Sequence, residues 1–274
     1  MTAIFSINAP GLSASPSLID GRSSLEKLKE TGLLRGHWTS AKRHLTMADA
    51  TQIQAFKDRS GNGLDLNRYS TSTMAHLETD PVLKAQYQLA GYDAAVFQGT
   101  TLDNGDYYSA SNTGENAYVE NAPFTHVIVM KMLEGVPADN DYAFGRFQGT
   151  TARSMLRNPV GVNEFQLLIG GQSVSVEYEP NGVIIAKCGF GATNGSNYGH
   201  LNVNGVGASV EMTSGTTSAN ALSLGAFSVA VSQAADMLFW DAMTFHGAGS
   251  NFIGDESEHL DTIDEYLAVY KQAA

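Results

Sequence analysis

From Leu33 to Phe245 the chain runs in short segments whose apolar residues recur every second position, the spacing of half-buried strands. Leu34, Gly36 and Trp38 alternate with Arg35, His37 and Thr39, predicting a strand with its aromatic inward. Ala94–Gly99 (AAVFQG) predicts a second, short strand. Phe124–Met132 (FTHVIVMKM) is apolar on both faces near its centre, as expected of an inner strand in a packed two-sheet structure. Tyr142–Phe147, Phe165–Ile169, Val174–Glu179, Val183–Phe190, Tyr198–Val203, Leu222–Val231 and Asp236–Phe245 follow at short spacing. Turn signals separate them: Gly170-Gly171, Pro180-Asn181-Gly182, Asn194-Gly195 and Asn204-Gly205. Pro180-Asn181-Gly182, between VSVEYE and VIIAKC, predicts a hairpin. Many strands with Gly and Asn turns predict an all-β sandwich or barrel.

The two ends read differently. Residues 1–22 are spaced with Pro10, Gly11, Pro16 and Gly21 against any helix, predicting an extended arm. Ser23 with Glu26 three residues later is a capping box that opens a short helix, and Gly32 closes it. The more polar piece Lys42–Gln54 is expected to hold a helical turn around Met47–Ala50. At the other end Leu260, Ile263, Tyr266, Leu267 and Tyr270 fall at helical spacing. Asp261 and Asp264 lie toward the start of that helix and Lys271 near its end, each at the favourable pole. This divides the chain into an arm with a short helix over residues 1–31 and one domain over 32–274.

Composition narrows the function. Hydrophobic residues make up 43% of the 274, enough for a sizeable core, and 28 glycines suit many turns. The formal net charge of −12 argues against nucleic acid and against anionic membrane surfaces, both of which need clustered Lys and Arg. Cys188 is the single cysteine, so no intrachain disulfide forms; within Val183–Phe190 it is expected to be a small core residue. The N-terminal residues lack the basic start of a secretory signal, and no run reaches the length of a membrane span, so the product is expected to fold where it is made.

The stretch Lys57–Leu66 (KDRSGNGLDL) carries the strongest turn signal, Asn62-Gly63. Taken with Leu33–Trp38 (LLRGHW), Asp58, Ser60, Gly61, Asn62 and Gly63 (D-x-S-G-N-G), Pro81-Val82, AAVFQG, FTHVIV, Asp236–Asp241 and the closing Asp264–Lys271, the order of features resembles the concanavalin A-like, laminin-G-like jelly-roll family. It looks like the single-module versions found in bacteriophage and bacterial proteins, and the likeness runs from about Leu33 to Lys271, departing over Asp241–Leu260. The resemblance implies a two-sheet antiparallel jelly-roll sandwich, with the arm and short helix before it and a short helix after. It also implies a non-enzymatic structural protein of a phage particle, a capsid decoration or tail-associated jelly roll contacting other virion proteins and further copies of itself. The alternative it leaves open is a carbohydrate-binding module for host-surface glycans.

The candidate chemistry is sparse. Glu177 and Glu179 share a strand face about 6.5–7 Å apart, wider than a retaining glycosidase pair, and Pro180 ends the strand at once. The family's third carboxylate is missing, so no catalytic residue is assigned. Asp58, Ser60, Asn62 and Gly63 fit the first half of a calcium loop, but Tyr69 stands where its last carboxylate belongs. Asp58, Asn62 and Asp65 therefore remain only a candidate calcium set, and no cofactor is expected. The acidic groups Asp103–Asp106 and Asp139–Asp141 read as solvated loops, and the histidines have no zinc spacing. Gly189–Gly195 is expected to be a hairpin turn. Tyr107, Tyr108 and Tyr118, amid Asn104, Asn112 and Asn116 in the loop Thr100–Ala122, are the candidate glycan or partner contacts.

Overall fold

The computed structural model describes residues 23–70, 72–99, 105–110, 121–134, 136–147, 151–212, 221–226, 233–254 and 257–274. The predicted arm, residues 1–22, lies outside the described residues. Helix α1 (Ser24–Glu30) starts as expected: the Ser23 hydroxyl accepts from Glu26 N, and the Glu26 carboxylate accepts from Ser23 N. Strands β1 (Leu34–Thr39), β2 (Leu45–Met47), β3 (Ile53–Phe56), β4 (Leu66–Arg68) and β5 (His76–Leu77) follow. Helix α2 (Pro81–Gln86) comes next, with Pro81 in its first turn and Asp80 capping Val82 N and Leu83 N. Then come β6 (Gln88–Leu89), β7 (Tyr92–Asp93), β8 (Ala95–Phe97), β9 (Tyr108–Ala110) and β10 (Phe124–Met132). The long antiparallel run is β11 (Asp141–Phe147), β12 (Arg153–Asn158), β13 (Glu164–Ile169), β14 (Gln172–Glu177), β15 (Ile184–Thr193), β16 (Ser196–Val203) and β17 (Val206–Glu211). Strands β18 (Ser223–Leu224) and β19 (Met237–His246) precede the closing helix α3 (Glu258–Ala273).

The strands form two antiparallel sheets packed as a sandwich. One runs β17-β16-β15-β10-β19-β8-β5, with β1 also on β19; the other runs β14-β13-β12-β11-β18-β9-β4-β3-β2. β10 pairs with β19 over its whole length and with β15 from Phe124 to Met130; one of its faces meets the second sheet and the other the helix-side core, which is why Phe124–Met132 is apolar on both. The inner core, with Trp38, Phe56, Phe97, Phe144, Phe165 and Phe239, fills the space between the sheets. A second core covers the opposite face of the first sheet. There Leu28 of α1 and Ile263, Leu267 and Tyr270 of α3 close over Val127, Ile185, Trp240 and Phe245. Among the described residues, no helix is long and apolar enough to cross a membrane.

Several local expectations change. β1 does not alternate cleanly, because its register against β19 shifts between Leu34 and Gly36. The bulge turns Leu34 to the helix-side core while Trp38 enters the inner core. A side chain at Gly36 would meet the Trp38 ring at 2.2 Å, so the indole fills the space beside that glycine. The helical turn expected around Met47–Ala50 lies earlier, at Lys42–His44, and Met47 ends β2. Pro180-Asn181-Gly182 does make a turn, with Asn181 at φ 62°, but it links β14 of one sheet to β15 of the other. It is a crossover between sheets and not a hairpin. Gly189–Gly191 belong to β15, and the hairpin turn is Asn194-Gly195 alone, both at positive φ.

Candidate functional site

The loop that carried the calcium candidate is a staple between elements. Asp58 Oδ1 accepts from His37 N (3.0 Å) and Ser60 N (2.8 Å), and Oδ2 accepts from Ser60 Oγ (2.7 Å) and Leu64 N (3.0 Å). Its acceptor positions are thus taken by β1 and by the loop itself. Asp65 accepts from Asp58 N and Lys57 Nζ, while Asn62 Nδ2 donates to the carbonyls of Leu34 and Arg35. The Trp38 indole N–H donates to Leu64 O at 2.8 Å, locking the same loop to the core. Among the described residues no group of three or more His, Cys, Asp or Glu side chains is placed to hold a metal ion. Asp58→Ala should lower stability by about 1–3 kcal/mol, because four donors lose a charged acceptor. Urea unfolding measures it, and a loss below about 0.5 kcal/mol would contradict the staple.

Two of the three tyrosine candidates, Tyr107 and Tyr108, are placed in the interior. Tyr107 and Tyr108 are 2% and 0% exposed, and Tyr108 heads β9, hydrogen-bonded to Ile53 O and edge-on to Phe56. Burial pushes the Tyr107 hydroxyl up to about 12. Neither ring is presented to a ligand, because the loop that holds them returns as a strand between β4 and β18. Tyr118 lies outside the described residues. Asp106 is buried too, with Oδ2 accepting from Gln98 N. Asp141 opens β11 and is 7% exposed; burial, then the nearby carboxylates of Glu134, Asp236 and Asp139, push it up to about 7. Neither aspartate is the solvated loop residue that its neighbours in sequence suggest.

Glu177 and Glu179 are exposed, as expected of solvent-facing alternation. Between them Tyr178 turns inward against Phe165. Glu164 pairs directly across the ladder from Glu177, so the adjoining groove gathers three carboxylates and no cation.

Two polar clusters that sequence patterns do not single out lie under α3. Asp241, on β19, is 1% exposed. Its Oδ2 accepts from the hydroxyls of Tyr266 (2.6 Å) and Tyr270 (2.8 Å), and its Oδ1 lies 3.1 Å from His37 Nε2. Burial, then the Asp241 carboxylate, pushes both phenols upward, so they stay protonated donors.

The second cluster opens to solvent. Val183, Ile185 and Lys187 alternate onto one face at β15, beneath the last turns of α3. Lys187, itself 7% exposed, gives two hydrogen bonds to Asp264 (2.8 and 2.9 Å), and Lys271 gives one (2.8 Å). Burial works to raise the Asp264 carboxyl, but the hydrogen bonds from Lys187 and Lys271 outweigh it and hold the group below its ordinary value. With Asn202 and Asn204 of the β16 end and turn, these residues line a groove of about 570 Å³. The volume is in the range of small-ligand sites, roughly 300–1,000 Å³. Its one signal in the sequence is a lone charged residue, Lys187, in an otherwise apolar strand.

The fold defines the chain as a two-sheet antiparallel β-sandwich carrying helices on one face. No protein-family model matches it, and no curated relative does. Solved structures do. An arabinofuranosidase complexed with arabinofuranosyl-α-1,2-xylobiose superposes with a TM-score of 0.59 at 10% identity, covering 89% of this chain and 65% of that one. The binding domain of botulinum neurotoxin DC, in complex with rat synaptotagmin II, gives 0.55 at 10% identity, covering 87% and 52%. A botulinum neurotoxin type C structure, described as entering cells by interaction with two ganglioside molecules, gives 0.52 at 9% identity, covering 87% and 53%. The chain thus spans from about half to just under two-thirds of the proteins it matches, and at these identities the likeness is one of fold.

Proposed function

We propose that this chain is a non-catalytic, lectin-like module that binds carbohydrate in the groove between α3 and the β15–β16 hairpin. The observation that carries the reading is the groove's lining. An apolar strip, Val183 and Ile185, lies beside polar groups held in place by their own hydrogen bonds: Lys187, Asn202, Asp264 and Lys271. A sugar offers the matching surface, apolar C–H faces edged by hydroxyls that both donate and accept. Similar folds in structures described with a xylobiose-based sugar or with gangliosides support the reading at the level of architecture. Catalysis is left out of the reading because Glu177 and Glu179 are exposed, stand two residues apart at about 6.5–7 Å on an extended chain, wider than a retaining pair, and lie beside the half-buried Glu164 in a shallow groove.

A glycan array followed by calorimetric titration tests the proposal. Val183→Trp, which fills the floor, should weaken binding at least tenfold while the thermal midpoint stays within a few degrees, since Val183 is only partly covered. A blank array, or binding indifferent to Val183→Trp, would overturn it. The phage-particle setting implied by the family resemblance is compatible with such a module, which would then offer its groove to host glycans. Co-sedimentation with particles would support that setting, and recovery only as a free protein would count against it.

A further inference from the structure

We infer, resting on the carbohydrate reading, that this groove selects sugars bearing a carboxylate. The chain as a whole carries −12, yet the ionic side chains of the groove are two lysines against one aspartate. The three are not equivalent. Lys187 is buried, and both Asp264 oxygens accept from its ammonium, so that pair is a fixed anchor of α3 on β15. Lys271 is the opposite case: its side chain is 46% exposed and gives Asp264 a single hydrogen bond, leaving N–H groups to spare on the groove wall.

The two asparagines divide in the same way. Asn204 accepts from Ile185 N and donates to Val183 O, so both ends of its amide are engaged in holding the turn, with one N–H left over. Asn202 accepts from Gly205 N through Oδ1, which fixes the side chain and turns its NH₂ into the donor that remains. The groove therefore offers an ammonium and an amide NH₂ above an apolar strip. Its one side-chain carboxylate, Asp264, is already paired with Lys187. A donor-rich set of this kind is complementary to a carboxylate, which only accepts, and a hydrogen bond with both partners charged is among the stronger ones. The apolar strip beneath would take the ring face of the same sugar residue.

Calorimetric titration of the full chain with a galacturonate trimer and with the neutral galactose trimer tests this. The acidic trimer should bind roughly tenfold more tightly, the scale of one charge-assisted hydrogen bond. The preference should vanish in Lys271→Gln and return in Lys271→Arg, at a position whose side chain is 46% exposed, with the thermal midpoint of each variant checking that it folds. Equal binding of the two trimers, unmoved by Lys271→Gln, would overturn the selectivity and leave the carbohydrate reading standing. Absence of binding by either trimer, together with a blank glycan array, would remove both.

Discussion

Asp241→Ala should lower the stability of this protein by about 2–4 kcal/mol, the scale of leaving buried donors without the acceptor they share. The side chain is buried on β19, and it accepts from the hydroxyls of Tyr266 and Tyr270 and lies against His37 Nε2. Truncation leaves these groups without their shared acceptor between a sheet and the helix that covers it. Tyr266 and His37 Nε2, 3.0 Å apart, can still pair with each other, but the Tyr270 hydroxyl is left buried with no acceptor. Asp241→Asn keeps one acceptor oxygen and should lose about half as much. Tyr266→Phe combined with Tyr270→Phe in the Asp241→Ala background should recover part of the loss, because the stranded Tyr270 hydroxyl is gone. Urea unfolding of the set provides the measurement. Single and combined losses that simply add would contradict a shared network. The expected effect on α3 is specific: the helix is held to the first sheet by Asp241 near its C-terminal half and by Lys187 through Asp264, so the groove should loosen along with it.

What the sequence disclosed and what it hid divide along one physical line. Periodicity and turn chemistry are local, so β10, the Asn194-Gly195 and Asn204-Gly205 turns, the Ser23–Glu26 cap and the closing helix are all readable from neighbours in the chain. The two-sheet sandwich follows from their number and spacing. Sheet membership is not local: Pro180-Asn181-Gly182 announces a turn, but nothing near it says that β14 and β15 part to different sheets. β12 and β17 escaped notice for opposite reasons. β12 (RSMLRN) has charged ends around a short apolar centre, and β17 (VGASVE) is a sheet edge, so neither carries a strong alternating signal. Tyr107 and Tyr108 misled because a loop-like composition surrounds a strand whose aromatics face inward. The groove was invisible because it joins Lys187 to Asp264, 77 residues apart, through the docking of a helix.

Asp141 should subtract up to about 4 kcal/mol from the stability as the pH rises from about 4 to about 8, while the buried His126, held well below its ordinary value by burial, works the other way below its unfolded value. In the fold its carboxyl sits near 7 against an ordinary 3.8, raised first by burial and then by the carboxylates of Glu134, Asp236 and Asp139. Its Oδ2 is buried without a hydrogen-bond partner, which fits a group that the fold holds more easily neutral than charged. Between the two values the folded chain holds a proton that the unfolded chain has released. This group's cost is therefore absent below about pH 4, grows as the pH passes through the window, and is complete above about pH 7. Asp141→Asn removes the titration while keeping the shape. The variant should match the parent at pH 4 and exceed it by about 2–4 kcal/mol at pH 8, read from urea unfolding across the range. Groups remote from Asp141 titrate alike in both proteins and cancel in the difference, whereas Glu134, Asp236 and Asp139 share its field and belong to the same measured gap. A gap between variant and parent that stays constant from pH 4 to pH 8 would show that the strand opening at Asp141 is not where this fold stores its charge.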